Sequence, residues 1–180
     1  MVHAALIAAD QKRYERIGKI MKIEHDILLQ VNNSDIIDET CMIPPDIRGI
    51  GDFAFRNCEN LKSLSLTENI VHIGDYAFYD CKNLKYISIP ESVLYIGSFA
   101  FGCCESLENI ILPYGVTHIH DYTFYGCTNL KSITMPEWVI YIGKRAFGKC
   151  KNLKNIIHSK STVHIDDSAF EDSAFENPDT

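Results

Sequence analysis

No stretch of this 180-residue chain is apolar for long enough to cross a bilayer, since a membrane helix needs about 20 consecutive apolar residues. The start offers only Ala4 to Ala9, without a basic leader, running straight into Gln11, Lys12 and Arg13. That string is shorter than the roughly 7 to 15 residues of a secretory core, so a cytoplasmic location is expected. Positive charge is scarce as well: 17 Lys and Arg against 24 Asp and Glu leave a formal charge of −7. Nucleic-acid phosphates demand a basic footprint, so nucleic acid drops out as an expected partner. Paired chemistry is missing too. The seven cysteines include no Cys-x-x-Cys, the short spacing that zinc sites use. Glycines are spread rather than clustered, which argues against a phosphate-cradling loop, and no nucleophile stands beside a base. The expectation is a non-enzyme with no catalytic residue, no cofactor and no metal ligand.

What the chain has instead is a period. Ile50, Ile73, Ile96, Ile119, Ile142 and Ile165 recur every 23 residues, each followed five residues later by Phe55, Phe78, Phe101, Phe124, Phe147 or Phe170, with no insertion or deletion. Self-similarity of this length marks a solenoid, in which one unit is too small to bury its own apolar face and must stack on its neighbours. Within a unit, Leu84 to Pro90 shows strand alternation, with Ile87 and Ile89 on one face and Tyr86 and Ser88 on the other. The same pattern recurs at Leu61–Leu66, Leu107–Leu112 and Leu130–Met135, which predicts a parallel stack. Pro90, Pro113 and Pro136 end the strands. A second short apolar segment, such as Val116 to Ile119, then leads to Gly51, Gly74, Gly97 or Gly143, with His120 as the exception. A sharp turn intolerant of a side chain is expected there. The triplets Phe53-Ala54-Phe55, Tyr76-Ala77-Phe78 and Phe99-Ala100-Phe101 follow, becoming Tyr122-Thr123-Phe124 in the next unit; their last ring should form a buried aromatic spine.

Two further columns invite functional readings. Cys58, Cys81, Cys104, Cys127 and Cys150 share one position, where thiols serve as small apolar packing. An odd set without an export signal suits a reducing compartment better than disulfides. His72, Tyr95, His118, Tyr141 and His164 alternate in another column, and stacked surface rings are expected. His118 and His120 project from one side of a short strand and could hold a metal between them, but no third ligand is evident.

The run Leu130-Lys131-Ser132-Ile133-Thr134-Met135-Pro136, Val139, Tyr141-Ile142-Gly143, Ala146-Phe147, Cys150, Asn152-Leu153 resembles the 23-residue leucine-rich repeat of the BspA type, and the likeness spans about Cys41 to Phe170. It implies a right-handed arc with a parallel sheet on its inner face and the glycine-aromatic segment outside, as short helical turns. It also implies the company of microbial surface adhesins and host-interaction proteins, so the cell surface stands as the alternative location, with matrix protein or glycan as the alternative ligand.

The domain reading is an N-terminal cap over 1–40, repeats over 41–170 and an acidic tail over 171–180. The cap should hold a helix, from the spacing of Leu6, Ile7, Tyr14, Ile17 and Met21, and a strand at Ile27–Val31. Only the outward strand columns are irregular. They read Ser63, Tyr86, Asn109, Ser132, Asn155 and Ser65, Ser88, Ile111, Thr134, Ile157, with Tyr114 and Trp138 in the turns beside them. Trp138 stands where other units carry Asn69, Ser92, Gly115 and Ser161, so the repeat does not require it. Tyr86, Ile111, Tyr114, Trp138 and Ile157 are therefore the candidate anchors for a protein partner, which includes a second copy of the chain. Lys62, Lys85, Lys131 and Lys154 form an adjoining row interrupted by Glu108, either a solvated edge or a seat for an acidic partner.

Overall fold

The computed structural model describes residues 21–157 and 164–175. Apart from Met21, which is buried, the expected cap helix lies outside them. In chain order the strands are β1 (Lys22–Glu24), β2 (Ile27–Gln30), β3 (Gly49–Ile50), β4 (Ser63–Ser65), β5 (His72–Ile73), β6 (Tyr86–Ser88), β7 (Tyr95–Ile96), β8 (Asn109–Ile111), β9 (His118–Ile119), β10 (Ser132–Thr134), β11 (Tyr141–Ile142), β12 (Asn155–Ile157) and β13 (His164–Ile165). β1 and β2 form an antiparallel hairpin, and β2 then pairs in parallel with β3. Apart from an isolated pairing of Ile37 with Thr40, the later pairing is parallel.

The period is the register. Ser63 pairs with Tyr86, Ser132 with Asn155 and Ile142 with Ile165, each 23 residues apart. From β4 onward each coil therefore contributes one three-residue and one two-residue strand to two ladders, in a β-solenoid of about six turns. Neither ladder is continuous: the long strands pair as β4–β6 and β8–β10–β12, and the short ones as β2–β3–β5–β7 and β9–β11–β13.

Between the short strand and the next long one the chain runs through linked turns: Ala54 N–H donates to Gly51 C=O, Arg56 to Phe53 and Cys58 to Phe55. Phe53, Tyr76, Phe99 and Tyr122 all take positive φ, between 54° and 60°. The one helix among the described residues is the 3-10 turn Asn33–Asp35, whose Asp35 accepts the Asn32 N–H at 2.7 Å. Glycine in the repeat column has a different explanation from the sharp turn expected. Gly51, Gly74, Gly97 and Gly143 do not take positive φ; the coil before each of them leaves little room for a Cβ.

The core is built from rows. Phe55, Phe78, Phe101, Phe124, Phe147 and Phe170 stack with centroids 4.8, 5.2, 5.5, 5.5 and 5.4 Å apart, and the first five are fully buried. Offset stacking contributes about 0.5–1.5 kcal/mol per pair beyond area burial. The last ring is covered by Phe175, at 5.0 Å. Beside the spine the thiols form their own row, and each donates to a carbonyl one coil back: Cys81 to Phe55 at 3.0 Å, Cys104 to Phe78 at 3.2 Å, Cys127 to Phe101 at 3.1 Å and Cys150 to Phe124 at 3.2 Å. The column is thus both packing and hydrogen bonding, since a buried carbonyl left unpaired is costly. Burial pushes the Cys58 and Cys150 thiols up to about 12, with Asp35 adding to the shift at Cys58.

Candidate functional site

The centre residues of the long strands turn inward, and their flanking residues face out. On that outward side Tyr86 is 52% exposed, Ile111 67%, Tyr114 69% and Ile157 58%, so these apolar groups stand mostly in water. Register sets Ile111 and Ile157 on either side of Thr134. Together with Tyr114 and the edge of Met135 they line a shallow groove of about 330 Å³, with the Glu91 and Glu137 carboxyls on its walls. One Glu91 oxygen accepts the Tyr114 N–H at 2.9 Å, which fixes the turn carrying that ring. Among the described residues the lining combines apolar side chains with two glutamates and no cationic side chain.

The five candidate anchors are only partly gathered. Tyr86 lies outside the groove lining, with the Lys85 ammonium 5.2 Å from its ring centroid. Trp138, 64% exposed, follows β10 and is likewise absent from the lining. The lysine row is largely occupied. Lys62 pairs with Glu39, and Glu108 lies between Lys85 at 3.0 Å and Lys131 at 2.9 Å. Hydrogen bonds from Lys131 and Lys85 hold the Glu108 carboxyl below the usual carboxylate range. Of the four lysines, Lys154 alone lacks a carboxylate partner among the described residues.

The ring column stacks as expected at His72–Tyr95, 4.8 Å, and at Tyr141–His164, 5.5 Å. His118 and His120 are 6.0 Å apart with nearly parallel rings. Burial, then the neighbouring His118, pushes the His120 pKa down. Among the described residues no group of three or more His, Cys, Asp or Glu side chains is placed to hold a metal. No described helix is long and apolar enough to cross a membrane.

A second exposed apolar set escaped the sequence reading: Leu94 at 62%, Ile140 at 51% and the less exposed Val71. Alternation pairs Val71 with the buried Ile73 and assigns both to the core. The strand there is only two residues long, however, so Ile70 and Ile73 are buried and the residue after Ile70 swings out. The column Val71, Leu94, Thr117, Ile140 carries one signal of this, since a core column would not admit Thr117.

A parallel-strand solenoid whose units bury Leu, Ile, Phe and Cys in fixed rows is a leucine-rich-repeat protein. The chain belongs to the BspA-type leucine-rich repeat family, whose repeat region matches residues 43–176 in six copies. It is similar to a leucine-rich cell surface protein of Faecalibacterium prausnitzii A2-165, at 32% identity and a TM-score of 0.71 over 75% of this chain and 35% of that one. It is also similar to the pneumococcal vaccine antigen PcpA, at 26% identity and a TM-score of 0.73 over 83% and 38% of the two chains. A leucine-rich repeat protein of T. pallidum, at 21% identity and a TM-score of 0.64 over 82% and 84%, shares the fold. The chain spans little more than a third of the length of the first two. No curated protein matches it. Proteins of this repeat class typically serve in protein interaction or at surfaces.

Proposed function

We propose that the protein is a non-enzymatic module that binds a protein partner on the face formed by its long strands. Ile111, Tyr114 and Ile157 are the groove anchors, and Tyr86 and Trp138 the flanking ones. The supporting observation is the groove itself: exposed apolar residues from separate coils meet around it, where equivalent positions carry Ser65 and Ser88 without harm to the repeat. Among the described residues Lys154 is the member of the lysine row without a carboxylate partner and is offered to an acidic group on the partner; engaging Lys62, Lys85 or Lys131 means displacing Glu39 or Glu108. A second copy of the chain is one such partner, and gel filtration over a range of concentrations separates self-association from capture of another protein. The test is a quantitative pull-down with wild type and with Ile111→Ala/Trp138→Ala. The variant should lose most of the captured protein with stability altered by no more than about 0.5 kcal/mol per site; undiminished capture removes the anchors.

A second reading, an adhesin displayed at the cell surface, is favoured by the similarity to a cell surface protein and a vaccine antigen. The six buried cysteines do not oppose it, because burial and a raised pKa shield them from oxidants as well in an oxidising exterior. Protease treatment of intact cells distinguishes the two: digestion of the protein supports display, and survival supports a cytoplasmic pool.

A further inference from the structure

Both ladders stop at the same place. β6 is unpaired with β8, and β7 with β9, whereas the coils on either side are paired in both ladders. The flanking bonds fail together. Elsewhere Lys85 N–H donates to Lys62 C=O, Leu112 to Thr134, Ile140 to Thr117 and Gly143 to Ile119. Between the third and fourth coils the corresponding bonds, from Glu108 to Lys85, Ile89 to Ile111, Thr117 to Leu94 and His120 to Ile96, are not formed. The turn side remains joined there: Phe101 N–H donates to Thr123 C=O at 2.9 Å, Cys103 to Tyr125 at 2.7 Å, and Phe101 stacks on Phe124.

The departure from the repeat at this place lies in the fourth coil. His120 replaces the repeat glycine, and its ring meets two members of the ring column, 5.0 Å from Tyr95 and 6.0 Å from His118. Tyr95 thereby meets His120 at a tilt of 45°, although the repeat would place His118 against it. Asp166, the other non-glycine of this column, brings no ring, and there β11–β13 stays paired. Side chains span the opened side: the Lys85–Glu108 ion pair and the Tyr114 N–H donated to Glu91. A crevice of about 260 Å³ lined by Lys85, Glu108 and Lys131 marks it.

We propose that the solenoid is jointed at this seam: two hydrogen-bonded stacks, one ending at β7 and one beginning at β8, flex about the continuous turn side, with the His120 ring as the wedge that keeps the strand side open. The joint does not depend on the binding reading. For that face its consequence is that Tyr86 sits on one stack and Ile111 and Tyr114 on the other, so flexing changes their spacing.

Two measurements test the joint. In native-state hydrogen exchange the amides of Thr117 and His120 should exchange at least about tenfold faster than their equivalents Ile140 and Gly143; equal protection in the wild type overturns the open seam. For flexing, spin labels are placed at Ser63→Cys and Asn155→Cys in a Cys103→Ser background, about 19 Å apart at four strand spacings. Their distance distribution should be broad and should narrow to about half its width in His120→Gly. Equal widths with and without His120 overturn the wedge. Should His120→Gly fail to fold, the labels in His120→Ala, which removes the ring and keeps the Cβ, give the same reading.

Discussion

The Asp75 carboxylate lies over Gly97: its Oδ1 accepts the Ser98 N–H at 2.7 Å and occupies the space that a Cβ on Gly97 would need. Asp52 stands in the same relation to Gly74, and Asp121 to Gly143. Where the aspartate column holds Ser98 or Lys144, the glycine column one coil later holds His120 or Asp166. Glycine in this repeat is thus set by the aspartate of the coil before it, together with the close approach of that coil's backbone, 2.7 Å from the missing Cβ at Gly97.

Gly97→Ala should therefore destabilise the protein by about 1–3 kcal/mol through overpacking. Asp75→Ser loses a hydrogen bond worth about 1.5–3 kcal/mol for a charged acceptor. Combined, the two should cost less than their sum by at least about 0.5 kcal/mol, measured by urea denaturation. Strict additivity would show that the carboxylate is not the obstacle.

Phe101→Ala, in the middle of the spine, should cost about 3–5 kcal/mol, whereas Ile157→Ala on the strand face should stay within about 0.5 kcal/mol. Thermal melts of the two variants check this contrast, and a mild Phe101→Ala would mean that the ring row is not the core.

Of the seven thiols, Cys103 alone is partly exposed, so a small alkylating reagent should modify one cysteine in the native protein and seven after denaturation. The buried thiols also predict a loss of stability in alkali. Their folded pKa lies above the ordinary value of 9.0, at about 12 for Cys41, Cys58 and Cys150. The folded state therefore binds the protons more tightly than the unfolded chain, and the stabilisation is complete below pH 9. It should decline progressively from there towards pH 12, and a flat denaturation midpoint between pH 8.5 and about 10.5 would contradict it.

The rows were legible in the sequence because a repeat without insertions leaves one register: each letter at a given offset becomes a physical neighbour of the next, as at Ser63–Tyr86 and along the Phe spine. Exposure of Ile111, Tyr114 and Ile157 followed from the same columns. The groove that joins them did not, because it depends on how the turn at Tyr114 sits on Glu91. Val71 and Leu94 were hidden by a strand too short for alternation to hold. The unit that follows the seam carries three departures, Glu108, His120 and Thr123, but a periodic reading treats each departure as local and does not reveal that pairing stops there in both ladders.

A photo-reactive residue placed at Ile111, compared with one at Lys149 on the turn side, tests the binding face most directly. Binding through the strand face predicts a covalent adduct with a protein partner from position 111, competed away by unlabelled wild type and not by Ile111→Ala/Trp138→Ala, and no adduct from position 149. Adducts from Lys149 with none from Ile111 would contradict it.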